Sequence, residues 1–179
     1  MSLFFYLPFS QEFGKVSKTL KVQTILLGAI SYSTEDTDLV IKTLSNVLPP
    51  SLREEVNSNV RKQRIIGHFG NQIYRLTFTL KKSNASTAFL YILRKRLDER
   101  AQAFISQNLE KLYDPKSQEF FLRVSKGRLF FDEIALASGY ESPVRIVVKF
   151  QQYGGSRKER TKRVMNYILK EMSNGESPL

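Results

Sequence analysis

The sequence has no cysteine, no tryptophan and only one histidine in 179 residues. Without cysteine there can be no disulfide, thiolate metal site or cysteine nucleophile, which fits a reducing compartment, so a cytoplasmic location is expected. With His68 alone, a zinc site would have to take its other protein ligands from carboxylates, an uncommon set, and spacing names no nucleophile for it to activate. Neither a GxGxxG nor a Walker sequence occurs, and no cofactor is expected. No run approaches the roughly 20 apolar residues that span a bilayer, so no membrane partner is expected either. The apolar start MSLFFYLPF lacks a basic leader and a small-residue cleavage site and is interrupted at Pro8, so it does not read as a signal peptide.

Acidic residues are also scarce. Against 28 Lys and Arg stand 17 Asp and Glu, a net charge of +11. Such an excess favours a polyanionic partner, because cations that neutralise phosphates release condensed counterions. A hydrophobic fraction of 41%, with 13 Phe and 8 Tyr, is enough for one well-packed domain at this length and too much for a disordered chain.

Hydrophobic periodicity predicts the elements. Within residues 21–31 the run TILLGAI is short and nearly unbroken, as in a strand buried on both faces. STEDTDLVIKTLSNVLPP then predicts a helix capped by Ser33 or Thr34 and ended by Pro49 and Pro50. Residues 55–66 read as an exposed edge strand, and the glycine-bracketed turn GHFGN joins it to QIYRLTFTLK, which alternates cleanly. From Ala85 the period becomes 3.6, giving a helix that breaks near Asp98 and a second that stops before Pro115. SQEFFLRVS and RLFFDEIAL predict a hairpin about Lys126 and Gly127, and VRIVVKF a third consecutive strand. After Gly154 and Gly155, SRKERTKRVMNYILKEM predicts a docked helix with two basic first turns.

The expected fold is therefore α+β, a β-α-β-β-α-β-β-β-α sandwich with a mainly antiparallel sheet and helices on one side. Residues 1–20 read as an N-terminal extension, 21–150 as the domain, and 151–179 as a basic C-terminal helix and tail.

Basic clusters are the main candidate binding residues. Arg61, Lys62 and Arg64 lie on the predicted edge strand, and Arg157, Lys158 and Arg160 on the last helix, while Arg94, Lys95 and Arg96 form a further cluster on the central helix. Arg75, Lys81, Arg123, Arg145 and Lys149 fall on strand positions opposite the core, with Arg128 near the predicted hairpin and His68 and Asn71 in the GHFGN turn. A basic sheet with interleaved threonines suits phosphate and 2′-hydroxyl contacts to folded RNA; the aromatic string of RNA-recognition motifs is absent. Phe121 could stack on a base, but a phenylalanine on a strand is more often core and is read so. Glu35, Asp36 and Asp38 match the acids that a helix N-terminus favours, although carboxylates there could also hold Mg²⁺ for phosphodiester cleavage.

GHFGNQI at 67–73, STED at 33–36 and EFFLRVSKG at 119–127 resemble a family of small archaeal RNA-binding proteins predicted to be exosome-associated, whose fold is similar to that of the ribosomal protein that holds 5S RNA. The resemblance spans residues 21–150. This chain has Gln72 where that family usually has Pro, and Ser125-Lys126-Gly127 where it has Asp-Lys-Gln, so of that triplet the resemblance carries over Lys126 alone as an RNA contact. The basic surface leads to a non-enzymatic protein that binds structured RNA, and the resemblance implies RNA binding with exosome subunits as further partners. The alternative is an interaction subunit or homodimer of an RNA-processing complex, with MSLFFYLPF as interface. A third reading is a metal-dependent nuclease using Glu35 and Asp36.

Overall fold

Alternation with a period of two gives each strand one apolar set of side chains, and that set needs a partner layer. The computed structural model describes residues 20–139 and 141–174. Its elements are β1 (Leu20–Ser31), α1 (Thr37–Ser45), α2 (Pro50–Asn59), β2 (Arg61–Ile66), β3 (Gln72–Lys81), α3 (Lys82–Tyr91), α4 (Glu99–Leu112), β4 (Tyr113–Asp114), β5 (Glu119–Ser125), α5 (Lys126–Phe130), β6 (Pro143–Gln152) and α6 (Arg157–Ser173). A π-helical turn, Ile92–Arg96, extends α3. The strands form one sheet in the order β2-β3-β1-β6-β5-β4, and every pairing is antiparallel. The α+β class with a mainly antiparallel sheet is as expected.

One face of the sheet is buried. Ile25 and Leu27 of β1, Leu76 and Leu80 of β3, Phe120 and Val124 of β5, and Ile146 and Val148 of β6 lie under the helices. The opposing layer comes from Ala88, Phe89 and Leu93, then Ile105 and Leu109 of α4, then Val164 and Ile168 of α6. Phe89 sits at its centre, with ring centroids 5.7 Å from Phe150, 6.1 Å from Phe120 and 6.5 Å from Tyr167. Leu44 and Leu48 of the α1 region and Val56 of α2 join the same core.

Local chemistry sets the boundaries. Asp36 caps α1, its Oδ1 accepting from the Asp38 N–H at 2.8 Å and the Leu39 N–H at 3.3 Å, in place of the expected Ser33 or Thr34. Asp98 caps α4 through the Ala101 N–H at 2.7 Å, which is why the long helical pattern breaks where the sequence predicts. Ser156 and Glu159 form a reciprocal capping box at the start of α6.

Two expectations fail for physical reasons. Residues 55–66 are not one strand: Pro50 starts α2, which runs to Asn59, and only Arg61–Ile66 is extended. Proline fits a first helical turn, where its missing N–H has no partner to lose, so Pro50 opens a helix instead of only closing one. RLFFDEIAL is not a strand either. Ser125 accepts from the Arg128 N–H at 3.3 Å and caps the five-residue α5, after which the chain returns along β5 through a single bridge, Val124 to Leu136. Of the three strands expected there, SQEFFLRVS and VRIVVKF are β5 and β6, and the two-residue β4 lies ahead of them at Tyr113–Asp114. Residues 1–19 of the expected extension 1–20, including the MSLFFYLPF segment given an interface role in the alternative reading, lie outside the described residues.

Because Phe89 is fully buried among three aromatic rings, Phe89→Ala should lower unfolding free energy by about 3–5 kcal/mol in denaturant titration. A loss below about 1 kcal/mol would place the packing centre elsewhere.

Candidate nucleic-acid interface

The structure separates cations that are engaged internally from cations that are not. Asp132, at φ +60°, accepts from Arg53 of α2 at 3.0 Å and from Arg96 of the π-helical turn at 2.9 Å, and Arg96 also donates to its carbonyl at 2.8 Å. Arg94 pairs with the buried Glu171 of α6. The basic run at 94–96 therefore uses two of its three charges to join helices, leaving Lys95 exposed. Burial works against ionisation of Asp132, but the hydrogen bonds and charges of Arg96 and then Arg53 outweigh it and hold its carboxyl below the usual value.

Lys126 belongs to the same engaged class. Its ammonium donates to the Ile30 carbonyl at 3.0 Å, lies 2.6 Å from a Glu35 carboxylate oxygen, and sits 5.3 Å from the Tyr32 ring centroid, with 14% of its side chain exposed. Lys126, a candidate RNA contact from the sequence, thus ties the start of α5 to the end of β1. Glu35 is its counter-ion and also accepts from the Tyr32 N–H at 2.9 Å, while Asp36 is the α1 cap. Among the described residues no group of three His, Asp or Glu is placed to hold a metal ion.

Among the described residues, six cations without such a partner lie on the open face of the sheet. Directly paired residues of antiparallel strands share a face, so the register lays Arg61, Thr77, Gly28, Arg145 and Arg123 in one row across β2, β3, β1, β6 and β5. Gln63, Arg75 and Ile30 make the next row towards the GHFGN hairpin. In the other direction come Thr79, Leu26, Val147 and Phe121, then Lys81, Thr24, Lys149 and Glu119. Rows on one face repeat about every 6.8 Å along the strands. Arg61, Arg75, Lys81, Arg123, Arg145 and Lys149 are all exposed, and among the described residues none has a carboxylate within ion-pair distance.

Arg123 and Arg145 are directly opposite each other across β5 and β6. Like charges in that position oppose sheet stability, and no neighbouring acid offsets them among the described residues. Gly28, in the middle of the row, leaves a gap: a Cβ there would come no closer than 3.9 Å to any atom, so packing does not require glycine.

Other candidates lie apart from this face. Alternation sends Lys62 and Arg64 to the opposite side of β2, where Lys62 pairs with Asp38 at 3.2 Å. His68 is exposed at the hairpin tip, edge-on to Phe69 at 5.1 Å, and Asn71 donates to the Ser33 hydroxyl at 3.4 Å. Gly67 lets Asn71 approach, since a Cβ there would meet its Oδ1 at 2.3 Å, and Gly70 takes the positive φ of the turn. Arg128 is exposed and pairs with Glu133 at 3.0 Å. Arg157 and Lys158 line an open groove of about 720 Å³ between α4 and α6, together with Glu110, Lys162, Met165 and Leu169. Arg160 is half-buried near Tyr113, whose phenol burial pushes up and Arg160 partly offsets.

Sequence reasoning missed the apolar row. TILLGAI was expected to be buried on both faces, yet Leu26 is 37% exposed and Phe121, read as core, is 38% exposed on the same open surface. The out-of-phase positions of β1 are apolar or small, so its alternation is invisible until Arg145 and Val147 are seen beside them.

A one-sided antiparallel sheet with an unpaired basic face has the form of a polyanion-binding α+β domain. The chain belongs to the family described as RNA binding, whose family model matches residues 24–150. Its fold is similar to that of a DUF54 protein from Archaeglobus fulgidus, with TM-score 0.67 and 24% identity over 82% of this chain and 99% of that one. A DUF54 protein of Methanothermobacter thermautotrophicus is similar with TM-score 0.60 and 22% identity, over 83% and 98% of the two chains. A UPF0201 protein of Methanococcus jannaschii is similar with TM-score 0.50 and 11% identity, over 82% and 98%. No curated protein matches the chain. Among the described residues no helix is long and apolar enough to cross a membrane.

The Asp132 clamp gives a pH test. A carboxylate held below its ordinary value stabilises the fold above its unfolded value and loses that contribution as pH falls through the folded one. Asp132→Asn should therefore melt at a lower temperature than the parent at neutral pH, with the gap closing as acid protonates Asp132. A gap that persists or widens in acid would contradict the clamp.

Proposed function

We propose that the open sheet face binds folded RNA without catalysing a reaction on it, reading shape and charge through Arg61, Arg75, Arg123, Arg145, Lys81 and Lys149. The observation that carries this reading is the Arg123–Arg145 pair, two like charges placed opposite each other with no counter-ion among the described residues. A stability cost without a structural return is expected where a ligand supplies the missing charge. Threonines 24, 77 and 79 on the same face add hydroxyls that can meet phosphate or 2′-hydroxyl groups. Membership of the RNA-binding family supports RNA over other polyanions. The resemblance in sequence adds an exosome-linked role, which retention of exosome subunits on the immobilised protein after nuclease treatment would test.

Replacing both Arg123 and Arg145 with Ala should weaken binding to folded RNA and reduce the slope of log affinity against log salt by about 1.4–1.8, at roughly 0.7–0.9 for each phosphate no longer neutralised. The same variant should be as stable as the parent or more so, because a repulsive pair has been removed. An unchanged salt slope, or no RNA binding by the parent at low salt, would overturn the reading.

A further inference from the structure

Between the two cationic rows of the open face runs a stripe without charge: Leu26 and Phe121 flank Val147, and Thr79 closes it on β3. Phe121 has Val147 directly across from it on β6, with Glu119 and Arg123 two residues away along β5 on the same face. Isolated exposed apolar residues need no explanation, but these three are neighbours across adjacent strands and form a continuous flat patch. Burying them against the helices is ruled out by the register, which commits the other set of side chains to that core.

The surroundings select the occupant. A second copy of the same face would bring Arg123 and Arg145 against their own kind, so face-to-face self-association is disfavoured by charge. An occupant must be flat and apolar where it meets Phe121 and anionic one row away, at about 6.8 Å. A nucleotide has that form, since its base has an apolar face and its phosphate carries the charge. In a duplex the faces are hidden by stacking, so only an unpaired base can present one.

We infer that Phe121, with Val147 and Leu26, seats an unpaired base of an RNA loop or bulge whose backbone lies on the Arg123–Arg145 row. Gly28 leaves the centre of that row open, so the backbone can come close to the sheet between Arg145 and Thr77. This inference rests on the proposed sheet-face RNA site and names the part of the RNA that it takes.

The test uses the full chain and two labelled RNAs, a hairpin with an unpaired loop and a blunt duplex of the same stem, with affinity read by fluorescence anisotropy. Phe121→Ala should bind the hairpin about 5- to 150-fold more weakly and the duplex unchanged, the range expected for loss of one aromatic–base stack. F121W should retain hairpin binding, and as the chain has no other tryptophan its fluorescence should be quenched by the hairpin and not by the duplex. Equal affinity of Phe121→Ala and the parent for the hairpin, an equal loss on both RNAs, or an indole unaffected by the hairpin would overturn the inference. So would a change in self-association by light scattering in place of a change in RNA affinity. The double Arg123 and Arg145 variant separates the two levels. If it binds both RNAs like the parent, the sheet-face site itself fails; if it weakens both while Phe121→Ala weakens neither, only the base seat fails.

Discussion

Because the strands bury one common set of side chains against the helices, the alternation of each strand sends the other set to a common open surface. The antiparallel register then decides which side chains on that surface become neighbours. Shift β6 by one residue against β5 and Arg145 would enter the core while Val144 and Ile146 turned to solvent, an exchange the buried layer cannot accept. The core thus fixes the position of the cations. Arg123 and Arg145 are held opposite each other by the requirement that Leu122, Val124, Val144 and Ile146 stay buried.

The same logic explains why total charge is a poor guide to the site. Some of the basic residues are internal structure: Arg53 and Arg96 share Asp132, Arg94 neutralises Glu171, and Lys126 neutralises Glu35 beneath Tyr32. These pairs join α2, the π-helical turn, α5 and α6 to one another and to the end of β1. The cations left without an ion pair on the sheet lie in ordered rows, and order is what a folded polyanion can read. The α6 residues Arg157 and Lys158 belong to a separate groove on the helical layer.

Clean periodicity made much of the fold legible in advance. The stripe Ala85, Ala88, Phe89, Ile92, Leu93 and Leu97 is buried throughout, and the helix broke at Asp98 because an aspartate there can cap the next one. The basic strand positions Arg75, Lys81, Arg123, Arg145 and Lys149 were also legible, since each falls out of phase with the apolar set of an alternating strand. Pro50 was misread because a proline both ends one helix and begins another, and α5 because its cap depends on Ser125 and its exit on the distant Arg53 and Arg96. Lys126 looked like a surface cation because its partner, Glu35, lies 91 residues away in the chain. The apolar row was hidden for a related reason: it is made of single residues from three strands and exists only in the register.

Everything proposed for this protein depends on RNA lying on the sheet face. Ultraviolet crosslinking of the full protein to bound RNA, with the attached peptides identified by mass spectrometry, locates the RNA without assuming a site. Crosslinks should concentrate on β5, β6 and β1, around Phe121, Arg145 and Gly28. Crosslinks confined to the α4–α6 groove or to the His68 hairpin tip would contradict a sheet-face site.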